Sequence, residues 1–427
     1  MGFLDQIKTV LESDDFKQRH RRSEKDFTRK RSLTFNLVIL FLLNMVKRSL
    51  QDELDEFFKV LSGQAIALRM VSKSAFTQAR QKLNYTAFIE LNRTQVTYYE
   101  THYAPLRWHG MRLLAMDGSM VQLPRLEAIG QHFGVWHPAS GGECPKARLS
   151  QMFDVLNKLT IDAIIAPKKE GERALAAQHC QFLTPDDLVL LDRGYPAFWL
   201  FALILSQQAH FCARMSVGEW QAVIQFLASE QKEALVTLTP SYESAKECRR
   251  RGLSTAPIQV RLIRIELDNG EVEVLATSLL DTVRFPHALF KDLYHQRWPV
   301  EEDYKVMKSR LEIENWSGTS VAAIYQDFHA AVFTKNFATV LSQPAQQTVA
   351  DQKSHCKYRY YVNLSNLLSK LKDTLLSLLT ANDPLPWLEG LWQQMIQTVE
   401  PFRPGRSVPR KKRVRPRKFA MNYKPLR

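Results

Sequence analysis

The segment YHQRWPVEEDYKVMKSRLE, residues 294–312, carries polar side chains in an ordered pattern. Four of them recur at intervals of three, four and seven residues: Tyr294, Arg297, Glu301 and Lys308. Residues at these intervals share one face of an α-helix. A neighbouring set is mostly apolar and predicts the side that faces a core: Val300, Tyr304, Met307 and Leu311. One helix would therefore present an acid, two cations and a phenol beside its buried side.

Pro299 limits how far that helix extends. A proline inside a helix costs about 3 kcal/mol, whereas a proline in the first turn is tolerated. The alternative is a helix that begins near Trp298. Tyr294 and Arg297 would then lie on a preceding segment, and a kink would interrupt the single stripe.

Two aspartates occupy positions where apolar strands are interrupted or end. Asp117 interrupts an apolar run beside a glycine, and Asp192 closes a second apolar run beside a glycine turn. In sheets covered by helices, ligands bind at the carboxyl ends of strands. Each acid also has a structural interpretation: an Asp-Gly turn, a helix cap for Asp192, and pairing of Glu301 with Lys305 or Lys308 at helical spacing.

Three carboxylates gathered by the fold would bind cations. Two like charges about 4 Å apart repel by roughly 4 kcal/mol at an effective dielectric of 20. Such a cluster is stable only if a carboxylate is protonated or cations enter. Oxygen ligands without His or Cys suit Mg²⁺ or Mn²⁺, and a pair of such ions activates water and stabilises the leaving oxygen of a phosphodiester. Arg297 and Lys308 flank Glu301 and would hold phosphates.

The formal charge of +14 is concentrated in the last 27 residues. Residues 401–427 hold 11 Lys or Arg, no acid and five prolines, and the rest of the chain carries about +3. Such tails bind polyanions, and we expect contacts with DNA from Arg410, Lys411 and Lys412. If about five cations touched phosphates, binding would weaken on the order of several hundredfold per fourfold rise in salt. A solvated tail, or one that binds RNA incidentally, is the alternative.

A second basic run favours the same class of partner. Residues 16–32 contain eight Lys or Arg and two acids. Neither basic run alternates cations with a large apolar face, which favours nucleic acid over a membrane surface.

Cysteine spacing and apolar runs predict the compartment. The five cysteines lie at least 32 residues apart, which predicts free thiols in a reducing cytoplasm. The N-terminus lacks the core of a signal peptide. The longest apolar stretch, residues 33–46, is too short to cross a bilayer and predicts a buried helix. We therefore expect a bacterial-type cytoplasmic protein, associated with the nucleoid and without a membrane partner.

Residues 33–92 are predicted to be helical. Ser49 caps a helix that ends at a Ser-Gly turn, and after a short connection Ser72 caps a second helix. The second helix has an apolar face that we expect to point inward: Ala75, Phe76, Ala79 and Leu83. Its outward amides and cations suit a DNA reader of the helix-turn-helix type, with contacts from Lys73, Gln78 and Lys82. Any amphipathic helical hairpin has the same pattern.

From residue 111, apolar strands alternate with helices, which predicts a sheet covered on both faces. Two strands are expected within residues 148–168, and helices at 171–183 and after Tyr195. Residues 209–285 interrupt this order with a hairpin signal at Asp268-Asn269-Gly270, which predicts a β-rich insertion. Further helices are expected over residues 317–400, one of them in YYVNLSNLLSKLKDTLLSLL.

The polar pattern of residues 294–308 resembles the Y-R-E-K signature of DDE transposases of the insertion-sequence-four family. Tyr294, Arg297, Glu301 and Lys308 have the spacing of that signature. Asp117 in MDGS and Asp192 in LDRGY match the first and second acids of the family in order and context. The stretch FTRKRSLTFNLVILFLLNMVKRSLQDELDEFF and the basic tail are also similar, so the resemblance covers nearly the whole chain.

This resemblance implies an enzyme that cuts DNA at the ends of an insertion sequence and joins the freed 3′-hydroxyl to target DNA. Better-known relatives cut and paste through a DNA hairpin, as a dimer across paired ends. Asp117, Asp192 and Glu301 would be the catalytic acids and would hold Mg²⁺ or Mn²⁺, as two ions. The phosphate-binding residues would be Tyr294, Arg297 and Lys308. Two further residues are expected to contact DNA: Arg193 and Trp298, the latter by stacking on a base unless it belongs to the core.

The resemblance also implies the fold and its division. The expected fold class is α/β, a ribonuclease H-like mixed sheet with helices on both faces, a β-rich insertion, and mainly helical N- and C-terminal regions. The expected regions are a helical DNA-binding domain (1–105), the first part of the catalytic domain (106–208), the insertion (209–285), the catalytic helix (286–335), a helical region (336–400) and the basic tail (401–427).

Two other functions stay open from the sequence. One is a DNA-binding regulator derived from a transposase, which binds ends without cutting, although all three acids are present. The other is a domesticated metal-dependent nuclease with a cellular role. Terminal inverted repeats beside the gene would favour mobility over both.

Overall fold

The computed structural model describes residues 2–29, 31–137, 142–267 and 269–403. Its α-helices are α1 Gly2–Glu12, α2 Asp14–His20, α3 Phe35–Leu43, α4 Leu50–Ser62, α5 Lys73–Arg80, α6 Thr86–His102, α7 Glu127–Phe133, α8 Glu172–His179, α9 Phe198–Ser206, α10 Gln221–Ala228, α11 Tyr242–Arg250, α12 Leu289–His295, α13 Pro299–Ser309, α14 Val321–Leu341, α15 Gln343–Gln352, α16 Leu364–Thr380 and α17 Leu385–Gln397. Its strands are β1 Arg112–Gln122, β2 Val135–Trp136, β3 Cys144–Asp154, β4 Leu159–Pro167, β5 Asp187–Leu191, β6 His210–Arg214, β7 Glu233–Leu238, β8 Ile258–Glu266, β9 Val272–Thr277, β10 Tyr360–Val362 and β11 Val399–Pro401.

The described chain divides into two compact units, each assembled from separate segments. The helical unit comprises residues 2–103, 122–146 and 305–403, and the sheet unit comprises residues 104–121 and 147–304. The last residue of β1, the first three of β3 and the second half of α13 belong to the helical unit.

The helical unit is built around α14. Sixteen of its 21 residues are buried, and it packs against α3, α6 and α16. The apolar stretch at residues 33–46 forms α3, which confirms the predicted buried helix. Nowhere in the described segments does a helix combine the length and the apolar character that crossing a bilayer requires.

The predicted caps of α4 and α5 are confirmed. Ser49 accepts a hydrogen bond from the amide of Asp52, Ser72 accepts one from the amide of Ala75, and α4 ends at Gly63 in the left-handed conformation.

The connection between these helices is longer than a helix-turn-helix motif requires. Residues 63–72 separate α4 from α5, whereas a helix-turn-helix motif has a turn of three or four residues. The inward face of α5 also differs from the prediction, because Ala75 is exposed and Arg80 is buried. Arg80 is held by Gln326 at 2.9 Å and by Asp327 at 2.8 Å.

The sheet unit is a mixed sheet flanked by helices, in agreement with the predicted α/β class. The strand order is β4-β3-β1-β5-β6-β9-β8-β7, in which β1, β5 and β6 are parallel and β6 to β9 are antiparallel neighbours. Every residue of β5 is buried, so both faces of the sheet are covered, as its unbroken apolar sequence predicts. Side chains of α8 and α9 share one core cluster with β1, β5 and β6.

Residues 209–285 extend this sheet. Their strands β6 to β9 continue it beyond β5, and α10 and α11 lie between them in sequence. The predicted hairpin is confirmed, since β8 and β9 pair up to Glu266 and Val272 around Gly270; Asp268 lies outside the described residues.

Two predictions for the C-terminal region need correction. Tyr360–Val362 is a strand that pairs with Val399–Pro401, so the helix of that stretch begins only at Leu364. The predicted boundary at residue 335 lies inside α14. The predicted free thiols are confirmed, since all five cysteines are free.

Candidate active site

The register of two parallel strands brings Asp117 and Asp192 together. In the pairing of β1 with β5, Met116 lies opposite Leu191, so Asp117 and Asp192 are the next residues on adjacent strands. Neighbouring strands lie about 4.8 Å apart. The two aspartates therefore meet at the carboxyl end of β5, part-way along β1. Ligands commonly bind at the carboxyl ends of strands in sheets covered by helices.

A tight turn fixes the Asp192 side chain. Its Oδ1 accepts a hydrogen bond of 2.9 Å from the amide of Gly194, and its backbone carbonyl accepts one of 3.2 Å from the amide of Tyr195. Arg193, between these residues, is exposed. The carboxylate is thus held at the end of β5 by its own turn and does not cap α9, which begins at Phe198.

The segment that carries Glu301 is two helices joined by a turn. Tyr294 lies in α12, Arg297 lies in the turn, and α13 begins at Pro299. The prediction that all four polar residues lie on one helix is therefore wrong. The alternative, in which a new helix begins near Trp298 and a kink interrupts the stripe, is confirmed. A proline has no amide to donate, so it is well suited to the first position of α13. The predicted apolar side of the segment is confirmed as buried: Val300, Tyr304, Met307 and Leu311.

Arg297 connects Glu301 with Asp117. Its Nη2 donates a hydrogen bond of 2.8 Å to Glu301 Oε1, and its Nη1 lies 4.0 Å from Asp117 Oδ2. Only 8% of Arg297 is exposed, and its Nε is buried without a hydrogen-bond partner. Burial opposes the charged form of Arg297, but the hydrogen bond to Glu301 and the nearby acids outweigh it and raise its pKa. The guanidinium therefore balances the charge of two acids.

The charge of Asp117 is only partly compensated by its neighbours. Burial raises its pKa to about 6, while Arg297 and the amide of Gly118 oppose that rise. The charges of Asp192 and Glu301 raise the pKa of Asp117 further, so both of these carboxylates lie close enough to repel that of Asp117.

Three buried phenols surround the acids. Tyr304 donates a hydrogen bond of 2.9 Å to the backbone carbonyl of Asp117, which supports the strand at that point. The hydroxyl of Tyr195 is buried and has no hydrogen-bond partner within the described part of the chain. Tyr294 is also buried, and burial raises its pKa.

The other predicted residues lie on both units. Trp298 is 46% exposed, so it is not a core residue. Lys308 lies in the last turn of α13, in the helical unit; burial lowers its pKa, which Glu314 partly opposes. Lys73 and Gln78 are exposed on α5, and Lys82 is half-buried just after that helix. Arg410, Lys411 and Lys412 lie outside the described residues.

Sequence reasoning missed one charged pair beside the aspartates. Glu172, in the first turn of α8, forms an ion pair with Arg148 of β3, and its carboxylate approaches Gly118 and Gly194. The only available signal was that both glycines directly neighbour the predicted acidic turns.

The donor set fits a divalent cation in its chemistry. All three acids offer hard oxygen ligands, and their mutual repulsion creates the need for positive charge. Arg297 meets part of that need. Within the described residues, no group of three or more His, Cys, Asp or Glu side chains already has the spacing of a metal site.

Comparison with known proteins identifies the family. The family described as "Transposase DDE domain" matches residues 108–337, which include all six residues of the predicted acid and phosphate-binding set. The chain is 25% identical over 290 residues to the transposase InsG for insertion sequence element IS4 of Escherichia coli K12, covering 66% of this chain and 64% of InsG. It is 24% identical over 177 residues to InsZ of the same strain, covering 40% of this chain and 57% of InsZ.

The matched regions thus span less than two thirds of either relative. Among solved structures, the piggyBac transposase in a synaptic complex with hairpin DNA aligns with 95% of this chain and 84% of its own chain, at a TM-score of 0.42 and 10% identity. DDE transposases generally use divalent metal ions. The chain belongs to the DDE transposases.

Proposed function

We propose that this protein is a transposase that binds the ends of an insertion sequence and catalyses cation-dependent DNA cleavage and strand transfer, by a cut-and-paste route. The observation that supports the proposal is the register of β1 with β5, in which Asp117 and Asp192 directly follow the paired residues Met116 and Leu191. Glu301 joins them through Arg297, which contacts both Glu301 and Asp117.

In this proposal Asp117, Asp192 and Glu301 hold Mg²⁺ or Mn²⁺, as two ions. When bound, such ions supply a water that is activated for attack and charge that stabilises the leaving oxygen of a phosphodiester. The chain prepares the site by fixing Asp192 in its turn and by tying the Asp117 backbone to Tyr304. The third ligand, Glu301, lies in the first turn of α13, two residues after Pro299.

The cationic residues orient the DNA backbone. Arg297 has donors in a planar fork that matches two phosphate oxygens, and Lys308 and the hydroxyl of Tyr294 would bind further phosphates. Trp298 is exposed next to Arg297, where its ring can stack on an unpaired base. Arg193 is exposed beside Asp192 and would contact the same DNA.

The helical unit and the tail would bind the element ends. Lys73 and Gln78 are exposed on α5, and Lys82 follows them. The tail residues Arg410, Lys411 and Lys412 belong to the most basic segment of the chain. We infer a homodimer on paired ends, acting on terminal inverted repeats and target DNA at the bacterial nucleoid.

The decisive experiment is cleavage of the DNA that flanks the gene. Purified protein should cut at the element ends with Mg²⁺ or Mn²⁺ and not with a chelator. Asp117→Ala, Asp192→Ala and Glu301→Ala should each abolish cutting, whereas Glu302→Ala, next to Glu301 and exposed, should retain it. Equal cutting by all four variants would refute the assignment of the acids.

The same assay separates the competing functions. Binding of the ends without any cutting by the wild-type protein would identify a regulator. Cutting without strand transfer, with no inverted repeats beside the gene, would identify a domesticated nuclease.

A further inference from the structure

A fourth carboxylate lies against the backbone of both aspartate turns. A Cβ added to Gly118 would be 3.2 Å from Glu172 Oε1, and a Cβ added to Gly194 would be 3.5 Å from Glu172 Oε2. Gly118 follows Asp117, and Gly194 lies two residues after Asp192. The absence of side chains at these positions allows Glu172 to approach both turns at once.

Glu172 is itself held in place. Arg148 of β3 forms an ion pair with Glu172 Oε1. Arg173, the next residue of α8, donates a hydrogen bond of 3.0 Å from its Nε to the carbonyl of Gly194. The first turn of α8 is therefore attached both to β3 and to the turn that contains Asp192.

The far end of α8 is anchored by a buried polar chain. Ser150 Oγ lies 3.0 Å from His179 Nε2, and His179 Nδ1 lies 2.7 Å from Asp162 Oδ2. Ser150 and His179 are fully buried, so this group is closed to substrates. It fixes α8 to β3 and β4 and so fixes the position from which Glu172 extends.

Tyr195 gives an independent indication that charged groups gather around the two aspartate turns. Only 1% of Tyr195 is exposed, and its hydroxyl has no hydrogen-bond partner among the residues that the structure describes. Apart from burial, the carboxylates of Asp117, Glu172 and Asp192 raise its pKa. A buried hydroxyl without a partner is costly in a structure that only needs stability. Here it lies near the carboxylates of both turns and of Glu172.

We propose that Glu172, held by Arg148, is a positioning residue that sets the separation of Asp117 and Asp192 for divalent-cation binding. This inference rests on the proposed function, because it assigns those aspartates to the cation. Residues that orient metal ligands without touching the metal typically contribute 10- to 100-fold to metal affinity. Glu172 would act in this way through the backbone of Gly118 and Gly194.

The test is Mn²⁺ binding to the full-length protein, measured by electron paramagnetic resonance of the free ion in the absence of DNA. The relevant site is the one that Asp117→Asn removes. Glu172→Gln keeps the size of the side chain but loses its charge, and should weaken Mn²⁺ binding at that site about 10- to 100-fold. Glu170→Gln, two residues away and outside the ion pair, is the matched control and should bind as the wild type does.

A double-mutant cycle tests the role of Arg148. Arg148→Met should weaken binding, and adding it to Glu172→Gln should cause little further loss, because both changes remove the same pair. Glu172→Asp, which keeps the charge on a shorter side chain, should bind more tightly than Glu172→Gln. It also serves as the second variant if Glu172→Gln does not fold.

The outcomes separate this inference from the proposed function. If wild-type protein and Glu172→Gln bind Mn²⁺ equally at the Asp117-dependent site, the positioning role is refuted while the cation site stands. Additive losses in the cycle would refute the role of the ion pair. If the wild-type protein has no Asp117-dependent Mn²⁺ site, the cation assignment in the proposed function fails, and this inference fails with it.

Discussion

Glu53 in the helical unit and Asp117 in the sheet unit are both acids removed from water, but the chain treats them in opposite ways. Glu53 accepts hydrogen bonds from the amides of Lys47 and Arg48 and pairs with Lys372 at 3.0 Å. Burial alone would raise its pKa, yet these partners lower it overall. Its negative charge is fully supported.

Asp117 lacks that support. Arg297 lies 4.0 Å from it and shares its charge with Glu301, and the two other acids add repulsion. Its pKa is accordingly raised to about 6. Burial also raises the pKa of Asp154 to about 6, although Asn157 donates hydrogen bonds to that carboxylate. The feature that distinguishes Asp117 is therefore the repulsion from two further acids, Asp192 and Glu301.

The largest expected effect comes from breaking the ion pair between Glu53 and Lys372. Lys372→Met leaves Glu53 buried and without its cation, so the free energy of unfolding should fall by about 3–5 kcal/mol. Urea unfolding measures the loss. Lys370→Met, on the exposed side of the same helix, should change stability far less. Equal losses in the two variants would show that Glu53 does not depend on Lys372.

Removing the negative charge of Asp117 should lower activity without lowering stability. Asp117→Asn should lower the rate of cleavage by more than about 100-fold. Loss of a residue that only orients a metal ligand costs about 10- to 100-fold, and loss of a ligand itself should cost more. The thermal midpoint of Asp117→Asn should stay or rise, because the variant removes repulsion from Asp192 and Glu301. Glu53→Gln is the counterpart and should lower the midpoint. A similar loss of stability in both variants would erase the contrast between the two acids.

The phenols beneath the site offer a finer comparison. Tyr304→Phe leaves the carbonyl of Asp117 without its donor and should cost about 1–3 kcal/mol of unfolding free energy. Tyr195→Phe removes a hydroxyl that has no hydrogen-bond partner, so it should cost nothing or be slightly stabilising. Chemical unfolding of both variants provides the measurement. A greater loss for Tyr195→Phe would mean that its hydroxyl has a structural role.

The smallest expected effect is on the free energy of unfolding at low pH. Because the folded pKa of Glu53 lies below the ordinary value of 4.5, its contribution is complete above that pH and is lost as pH falls through the lower folded pKa. Lys372→Met removes the charge that lowers this pKa, so stability should begin to fall at a higher pH. Unfolding curves between about pH 6 and pH 3 compare the two proteins. An unchanged acid profile would contradict the assigned cause.

Local patterns predicted much of the sheet unit and little of the charge pairing. The apolar run of β5, the caps at Ser49 and Ser72 and the acid after each strand are visible in short windows of sequence. The partners of Arg80 and Glu53 are not, since they lie 247 and 319 positions away. Periodicity also carries no information on strand partners. It therefore could not show that residues 209–285 continue the main sheet, or that Tyr360–Val362 pairs with a strand near residue 400.

The sequence pattern singled out the three acids, but it did not predict the arrangement of the segment that carries Glu301. The motif spacing placed Tyr294 and Arg297 on the helix of Glu301, and only the chemistry of Pro299 indicated a break. Glu172 belongs to no sequence motif. Its proposed role depends on the absence of side chains at Gly118 and Gly194, which lets its carboxylate approach both turns.

The division of the helical unit along the chain has a consequence for synthesis. All segments of the sheet unit precede residue 305, so it can be completed while the ribosome is still translating. The central helix α14 and the partner of Glu53 emerge only afterwards. The N-terminal helices α3 and α6, which pack against α14 in the folded protein, are therefore synthesised long before that partner. We expect the incomplete chain at this stage to depend most on chaperones.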